Sequence, residues 1–332
     1  MQTHAQNQST EDLFHVIYVW SPIGYEFYLT LVELYSPECV LMITARHFNP
    51  HRSTATLGKN HHYFGQMSEE ISFSCDQLIK FFGQLNGNNY IAYIPQSGNF
   101  YGRTLIESDF CKHFYYYDEG SAAYGDGFKR LSSSPYMKGA LTHKRDDLIR
   151  YFSISKVDIG KLEMIYKRGA IFYDLNHIKL AGFLSFFEPT FPGVSKIILP
   201  IANITRLATE ATALCVLPPL KHLLHNQDSV LSNLLIDIKQ IIDKGDISSM
   251  IFKSHPMDPP SYLNQLIAKL PLQGLHTDLW ANYCHKYNID EYREPALMGF
   301  NSYITSSNST GLYLEILNTH GELENEVQNC IG

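Results

Sequence analysis

The chain has 332 residues, 45% of them hydrophobic and 18% charged, with a formal net charge of -7. That length is too great for one ordinary domain and comfortable for two, and the balance is globular rather than disordered or fibrous. The acidic excess leaves no surplus of Lys and Arg to neutralise phosphates, which argues against a nucleic-acid partner while leaving room for a local basic patch around one nucleotide. Cys39, Cys75, Cys111, Cys215, Cys284 and Cys330 are scattered without a C-x-x-C pair, so reduced thiols are expected rather than a zinc site or a disulfide framework. The first twelve residues are polar and lack an apolar h-region, and no run of about 18 apolar residues occurs. A cytoplasmic protein is therefore expected, with any membrane contact peripheral.

His15 to Trp20 reads as a buried strand, Ser21-Pro22-Ile23-Gly24 as a turn, and Tyr25 to Tyr35 as a helix, with a second strand over Cys39 to Thr44. The series continues with a helix near Cys75 to Leu85, a strand at Tyr90 to Ile94, a helix near Gly102 to Ser108 and a strand at His113 to Tyr117. Strands alternating with helices predict a parallel α/β sheet. The stretch from Tyr124 to Pro200 is less periodic, with a helix expected at Asp146 to Phe152 and a loop over Phe186 to Gly193. A second series begins with a strand at Thr212 to Leu217, followed by a helix at Val230 to Ile242 and a strand at Met250 to Phe252. Short strands are expected at Gln273 to Leu275 and Ala296 to Met298, the latter before a Ser/Thr-rich loop and a helix at Leu312 to Leu317. The domain boundary is placed near residue 205, giving domains 1–205 and 206–332.

Three segments could carry chemistry. Asp118-Glu119-Gly120 falls where a parallel strand ends, the place where open α/β sheets bind ligands. Two adjacent carboxylates repel each other, which tends to raise the pKa of one and suits a general base. Gly120 permits a sharp turn and a close substrate approach, although turn statistics alone make the tripeptide an ordinary solvated turn. Lys253-Ser254-His255-Pro256 closes another strand; the residue before proline is held extended, fixing an imidazole that can donate to a phosphate oxygen beside the Lys253 charge. One histidine among 15 is more often a surface residue. Gly299 to Gly311 is rich in hydroxyls and precedes a helical pattern, so it could present N–H and O–H groups to an anion or merely cap the helix.

In this order the three segments resemble the bacterial sialyltransferases, which share an acidic pair before Gly, a His-Pro motif and a Ser-Ser or Ser-Thr motif. Tyr116-Tyr117-Asp118-Glu119-Gly120-Ser121-Ala122-Ala123-Tyr124 looks like the aromatic-D-D-G-S-x-x-Y stretch of the marine and Pasteurella-type group. Ile17 to Trp20 and Phe252 to Pro256 fit its opening strand and its F-K-G-H-P stretch, with Ser254 in place of the usual Gly. The resemblance spans residues 13 to 315, with identities confined to these islands.

The resemblance implies two Rossmann-like domains facing across a cleft, the GT-B glycosyltransferase architecture. It also implies inverting transfer of sialic acid from CMP-sialic acid to a glycan hydroxyl, usually galactose of a lipooligosaccharide, capsule or similar surface glycan. Glu119 would be the base, with Asp118 orienting it. His255, with Lys253 and Pro256, would hold the donor phosphate, Asp278 the ribose hydroxyls, and Asn99 and Gly120 the acceptor. Ser302 and the pair Ser306-Ser307 both remain candidates for the serine motif. No Asp-x-Asp motif and no His/Cys cluster with ligand spacing occurs, so no cofactor or metal is expected. Peripheral contact with the inner membrane is compatible with such a role. Transfer of another CMP-activated acidic sugar (pseudaminic, legionaminic or Kdo), a non-catalytic glycan-binding protein, and hydrolysis or epimerisation of nucleotide-sugars are the competing readings.

Overall fold

A computed structural model describes residues 13–45, 48, 60–64, 71–119, 123, 131–132, 153–168, 170–188, 190–200, 212–217, 236, 239, 248–254, 260–268, 270, 272, 274–294 and 302–305. The chain forms two compact units. The first comprises Met1–His51, Ala55–Asp118 and Gly125–Pro200, the second Arg52–Thr54, Glu119–Tyr124 and Ile201–Gly332.

The first unit carries strands β1 (Phe14–Val19), β2 (Val40–Thr44), β3 (His61–Tyr63), β4 (Tyr90–Ile94), β5 (Cys111–Tyr117), β8 (Leu180–Ser185) and β9 (Ile197–Ile198). A separate antiparallel pair is made by β6 (Leu131–Ser132) and β7 (Ala170–Ile171). Its helices are α1 (Pro22–Leu34), α2 (Ile71–Leu85), α3 (Phe100–Glu107) and α4 (Ile159–Arg168). The main sheet runs β3-β2-β1-β4-β5-β8-β9, and every pairing in it is parallel. The chain winds from β1 outward to β3, then returns to the other side of β1 with β4. That reversal is a topological switch point between β1 and β4.

The central strands follow from their sequences. Val16 to Val19 and Val40 to Ile43 are continuous runs of apolar residues with almost no solvent exposure, as expected when helices cover both faces of a parallel sheet. Much of the aromatic wealth lies in this core: Tyr18, Tyr90, Tyr116, Tyr117, Tyr173, Phe27, Phe64, Phe81, Phe114 and Phe191 are all fully buried. Three buried hydroxyls find backbone acceptors, Tyr90 on the Leu105 carbonyl (2.7 Å), Tyr101 on that of Phe64 (2.9 Å) and Tyr117 on that of Tyr18 (2.5 Å).

Helix starts are set by local chemistry. Ser21 caps α1, its hydroxyl accepting from Gly24 N, with Pro22 in the first turn, where its missing N–H costs nothing. The Tyr117 hydroxyl lies so close to Gly24 that a Cβ there would approach it to 2.6 Å. Asn99 caps α3 through Gly102 N (2.7 Å).

The second unit has strands β10 (Thr212–Val216), β11 (Ser249–Lys253), β12 (His276–Leu279) and β13 (Ser302–Thr305), with helices α5 (Pro260–Ile267) and α6 (Trp280–Tyr287). Its sheet order is β12-β11-β10-β13, again all parallel, with the reversal between β10 and β13. Leu214, Ile251, Trp280, Tyr283 and Cys284 form its core. Helix α6 ends at Asn288 in the left-handed conformation (φ 53°), with His285 and Lys286 in its last turn beside the exposed carbonyls. The chain is thus α/β, built on two parallel Rossmann-like sheets.

Several expectations need correction. The strand expected at Gln273 to Leu275 is instead β12, three residues later. Ser302 to Thr305, expected in a hydroxyl-rich loop, forms β13; Tyr303 and Ile304 supply the β-branched and aromatic character that pairs with Leu214 and Cys215. The segment 180–185 gives no clear strand signal in the sequence, because Gly182 interrupts its apolar run. The helices expected at residues 146–152 and 312–317 and the strand at 296–298 lie outside the described residues, as does nearly all of 230–242. Among the described residues no helix is long and apolar enough to cross a membrane.

Candidate functional site

In each sheet some of the residues of interest lie at the carboxyl ends of the strands. In the first, Ile94 pairs with Tyr116 and Tyr117 with Leu184. Asp118 and Ser185, the residues next to that last pair, lie side by side at the ends of β5 and β8. Asp118 is fully buried. Its N–H continues the ladder to the Leu184 carbonyl (3.0 Å), and the Ser185 hydroxyl donates to its carboxylate at 3.4 Å. The Ser185 hydroxyl oxygen in turn accepts from Phe187 N (2.9 Å) and bonds to the Thr190 hydroxyl. These bonds close the loop that follows β8, and Phe186 stacks on Phe27 with ring centres 4.0 Å apart. Glu119 is the next residue after Asp118, half-buried, where the chain leaves the sheet. Gly120 lies outside the described residues.

The loop after β4 is pinned with unusual thoroughness. Arg103, 1% exposed, donates through Nε to the Ser97 carbonyl (3.1 Å) and through Nη2 to its hydroxyl (3.2 Å). Its Nη1 pairs with Glu107 (3.3 Å) and Asp174 (3.1 Å). The Tyr116 hydroxyl donates to Ser97 Oγ at 2.7 Å and accepts from Asp174 N at 2.7 Å. Asn99 Nδ2 reaches the Gln96 carbonyl at 3.2 Å, so both ends of the Asn99 amide serve the loop and the helix cap. Glu107 also meets Lys161 Nζ (2.6 Å) and His177 Nε2 (3.4 Å). Burial pushes its carboxyl pKa up, but the bonds from His177 and Lys161 outweigh that and hold it at about 2.

In the second unit Val216 pairs with both Lys253 and Thr305, so these three mark the carboxyl edge at the switch point between β10 and β13. Lys253 Nζ lies over the Trp280 ring, 5.5 Å from its centre. Trp280 is fixed by donating Nε1–H to the Glu291 carbonyl (2.9 Å). Asp278, on the neighbouring strand β12, accepts from Leu279 N at 2.8 Å, just before α6 begins. Asp278 pairs with Ile251, two residues before Lys253 along the sheet. Ser302 pairs with Ala213 at the amino end of β13, three residues and about 10 Å from that edge. Ser306 and Ser307, which follow Thr305 in the chain, lie outside the described residues, as do His255 and Pro256, which follow Lys253 and Ser254.

Sequence reasoning missed Gln96, Ser185 and the Arg103 network. No short motif announces any of them; they emerge only once the strand register is known.

The fold therefore defines an α/β protein of two Rossmann-like units with polar residues at both carboxyl edges. No family model matches the chain, and no curated protein matches it in sequence. Among solved structures it is similar to Acinetobacter baumannii MurG, with 11% identity and a TM-score of 0.30. The match covers 80% of this chain and 65% of that one, just under two thirds of its length. So distant a likeness carries no argument about chemistry, and the architecture stands on the strand order.

Proposed function

We propose that the protein is an inverting glycosyltransferase that moves a sialic-acid-type sugar from its CMP donor to a hydroxyl of a glycan. The observation that carries this reading is positional. Asp118-Glu119 ends β5 of one parallel sheet, and Lys253, leading into His255-Pro256, ends β11 of the other. Carboxyl edges are where such sheets bind ligands, and the motif order is that of the bacterial sialyltransferases.

In this reading Glu119 removes the proton from the acceptor hydroxyl as its oxygen attacks the anomeric carbon. The bond from that carbon to the CMP phosphate breaks, and the electron pair leaves with the phosphate. Asp118, buried and in contact with the Ser185 hydroxyl, keeps the strand end in place beside the base. Negative charge grows on the phosphate, where His255, Lys253 and the hydroxyls of Ser306 and Ser307 stabilise it more in the transition state than in the ground state. Pro256 fixes the backbone carrying His255, and Asp278 takes the ribose hydroxyls. Ser302, at the amino end of β13, is left out of this set. Gly120 and the loop carrying Asn99 admit the acceptor.

CMP release from CMP-sialic acid that requires added lactose supports transfer; release without acceptor points to hydrolysis. Turnover of CMP-Kdo or CMP-pseudaminic acid in preference reassigns the donor within the same class. A thermal shift with UDP or AMP but none with CMP contradicts the donor assignment.

A further inference from the structure

Strand β11 ends at Lys253, half-buried beside Val216 at the carboxyl edge of the second sheet. A lysine ammonium rides on a flexible four-carbon stem, so part of what it gains from an anion is lost in ordering that stem. Here the stem has a seat. Lys253 Nζ lies 5.5 Å from the centre of the Trp280 ring, within reach of the attraction between a cation and an aromatic face. The ring itself is fixed. Trp280 opens α6 directly after β12, is 5% exposed, and donates Nε1–H to the Glu291 carbonyl at 2.9 Å. Tyr283 backs it, nearly parallel, with ring centres 6.2 Å apart. Ile251, two residues before Lys253 on the same strand, packs in one core cluster with Trp280, so Lys253 continues on the sheet face that α6 covers. The electrostatic surroundings are mixed. Burial pushes the Cys284 thiol up to about 12 against the pull of the Lys253 charge, and the carboxylates of Glu291 and Asp290 push the same way as burial. A carboxylate that fixed Lys253 would offset its charge towards an incoming anion. An indole face attracts the ammonium through its quadrupole and adds no net negative charge.

We infer that Trp280 is a positioning residue for the donor, seating the Lys253 ammonium on its ring so that this charge is held ready for the phosphate of the CMP-sugar. The inference rests on the transferase reading above, which puts Lys253 at that phosphate; Trp280 itself touches no substrate. It gives the fastening of the indole a role beyond packing, because a charge stabilises an anion best when it is in place before the anion arrives. Weakening the seat should therefore reduce affinity for the phosphate-bearing nucleotide and leave the nucleoside alone.

The test weakens the ring's negative face while nearly preserving its shape. Trp20 and Trp280 are the two tryptophans of the chain, so the full chain carrying Trp20→Phe is produced with tryptophan, 5-fluorotryptophan or 5,6,7-trifluorotryptophan. Each protein is titrated with CMP and with cytidine by calorimetry, alone and in a Lys253→Met background. If Trp20→Phe disturbs folding, Trp20 is kept and the Lys253→Met background isolates the contribution of Trp280. The Kd for CMP should weaken stepwise with fluorination, to about fivefold for the trifluoro ring. The Kd for cytidine should not change, and in Lys253→Met the response of CMP to fluorination should vanish. A CMP affinity indifferent to fluorination overturns the inference, and so does an equal loss for cytidine, which marks a merely structural role. A CMP affinity that rises with fluorination overturns it too, by showing that the indole competes with the phosphate for Lys253. Failure of the underlying reading looks different. A wild type that binds neither CMP nor cytidine removes the donor assignment and the inference with it, whereas acceptor-dependent CMP release with no fluorine effect keeps the transferase and removes the inference alone.

Discussion

Replacing Arg103 by methionine removes the cation at the centre of the first unit's buried polar network while roughly preserving side-chain length. Four acceptors lose a donor: the Ser97 carbonyl and hydroxyl oxygens, Glu107 and Asp174. Both Arg103 and Glu107 have side chains only 2% exposed, so water cannot take over the bond lost by Glu107, whereas Asp174, 27% exposed, can be hydrated. Removing one member of a buried ion pair costs about 3–5 kcal/mol, chiefly because the remaining charge stays buried. Glu107 keeps Lys161 and His177, which places the expected loss near the middle, about 4 kcal/mol. For a domain of roughly 200 residues each kcal/mol lowers Tm by about 2–4 °C, so the variant should melt about 10 °C lower. Differential scanning calorimetry and urea titration both measure this. The double variant Arg103→Met/Glu107→Met should recover part of the loss, because the orphaned carboxylate is gone. A fall in Tm under about 2 °C for Arg103→Met would refute the view that this network holds the loop after β4.

Glu107 also sets an acid sensitivity. Its folded pKa, about 2, lies below its ordinary value of 4.5, so its contribution is present above pH 4.5 and lost as pH falls toward 2. The amount is about 3 kcal/mol, and Glu107→Gln should flatten that part of the stability–pH curve measured by urea unfolding. His15, stacked on Tyr35 and bonded to the Tyr93 hydroxyl at 2.8 Å, is held by burial at about 4. The fold keeps it neutral while the unfolded chain protonates it, so stability falls as pH drops from 6.5 toward 4. Its ring signals in NMR should accordingly not titrate above about pH 6. Gly102→Ala would press a methyl group against the Gln96 carbonyl; a loss of about 1–3 kcal/mol is expected from overpacking, read by thermal melting.

The first sheet was largely legible because its strands are covered on both faces, which makes them apolar runs that stand out between turn residues. Tyr90 to Ile94 matches β4 end to end and Val40 to Thr44 differs from expectation by a single residue, as does Thr212 to Val216 in the second sheet. Elements with mixed composition were harder. His61 to Tyr63 is too short and polar to signal a strand, and Ile197 and Ile198 sit exposed at a sheet edge without periodicity. At the site, the acidic pair could be placed at a strand end because the aromatic run from His113 to Tyr117 is unbroken and its end is marked by charge. Gln96 could not be found the same way. That its amide oxygen is buried and unpaired is a property of the folded chain alone.

The most direct measurement compares wild type with Glu119→Gln for CMP release from CMP-sialic acid in the presence of lactose. A general base contributes about 10²- to 10⁴-fold, so kcat should fall by at least ~10² while the thermal shift produced by CMP stays the same. A folded Glu119→Gln protein that transfers at the wild-type rate would contradict the assignment of the base and, with it, the proposed reaction.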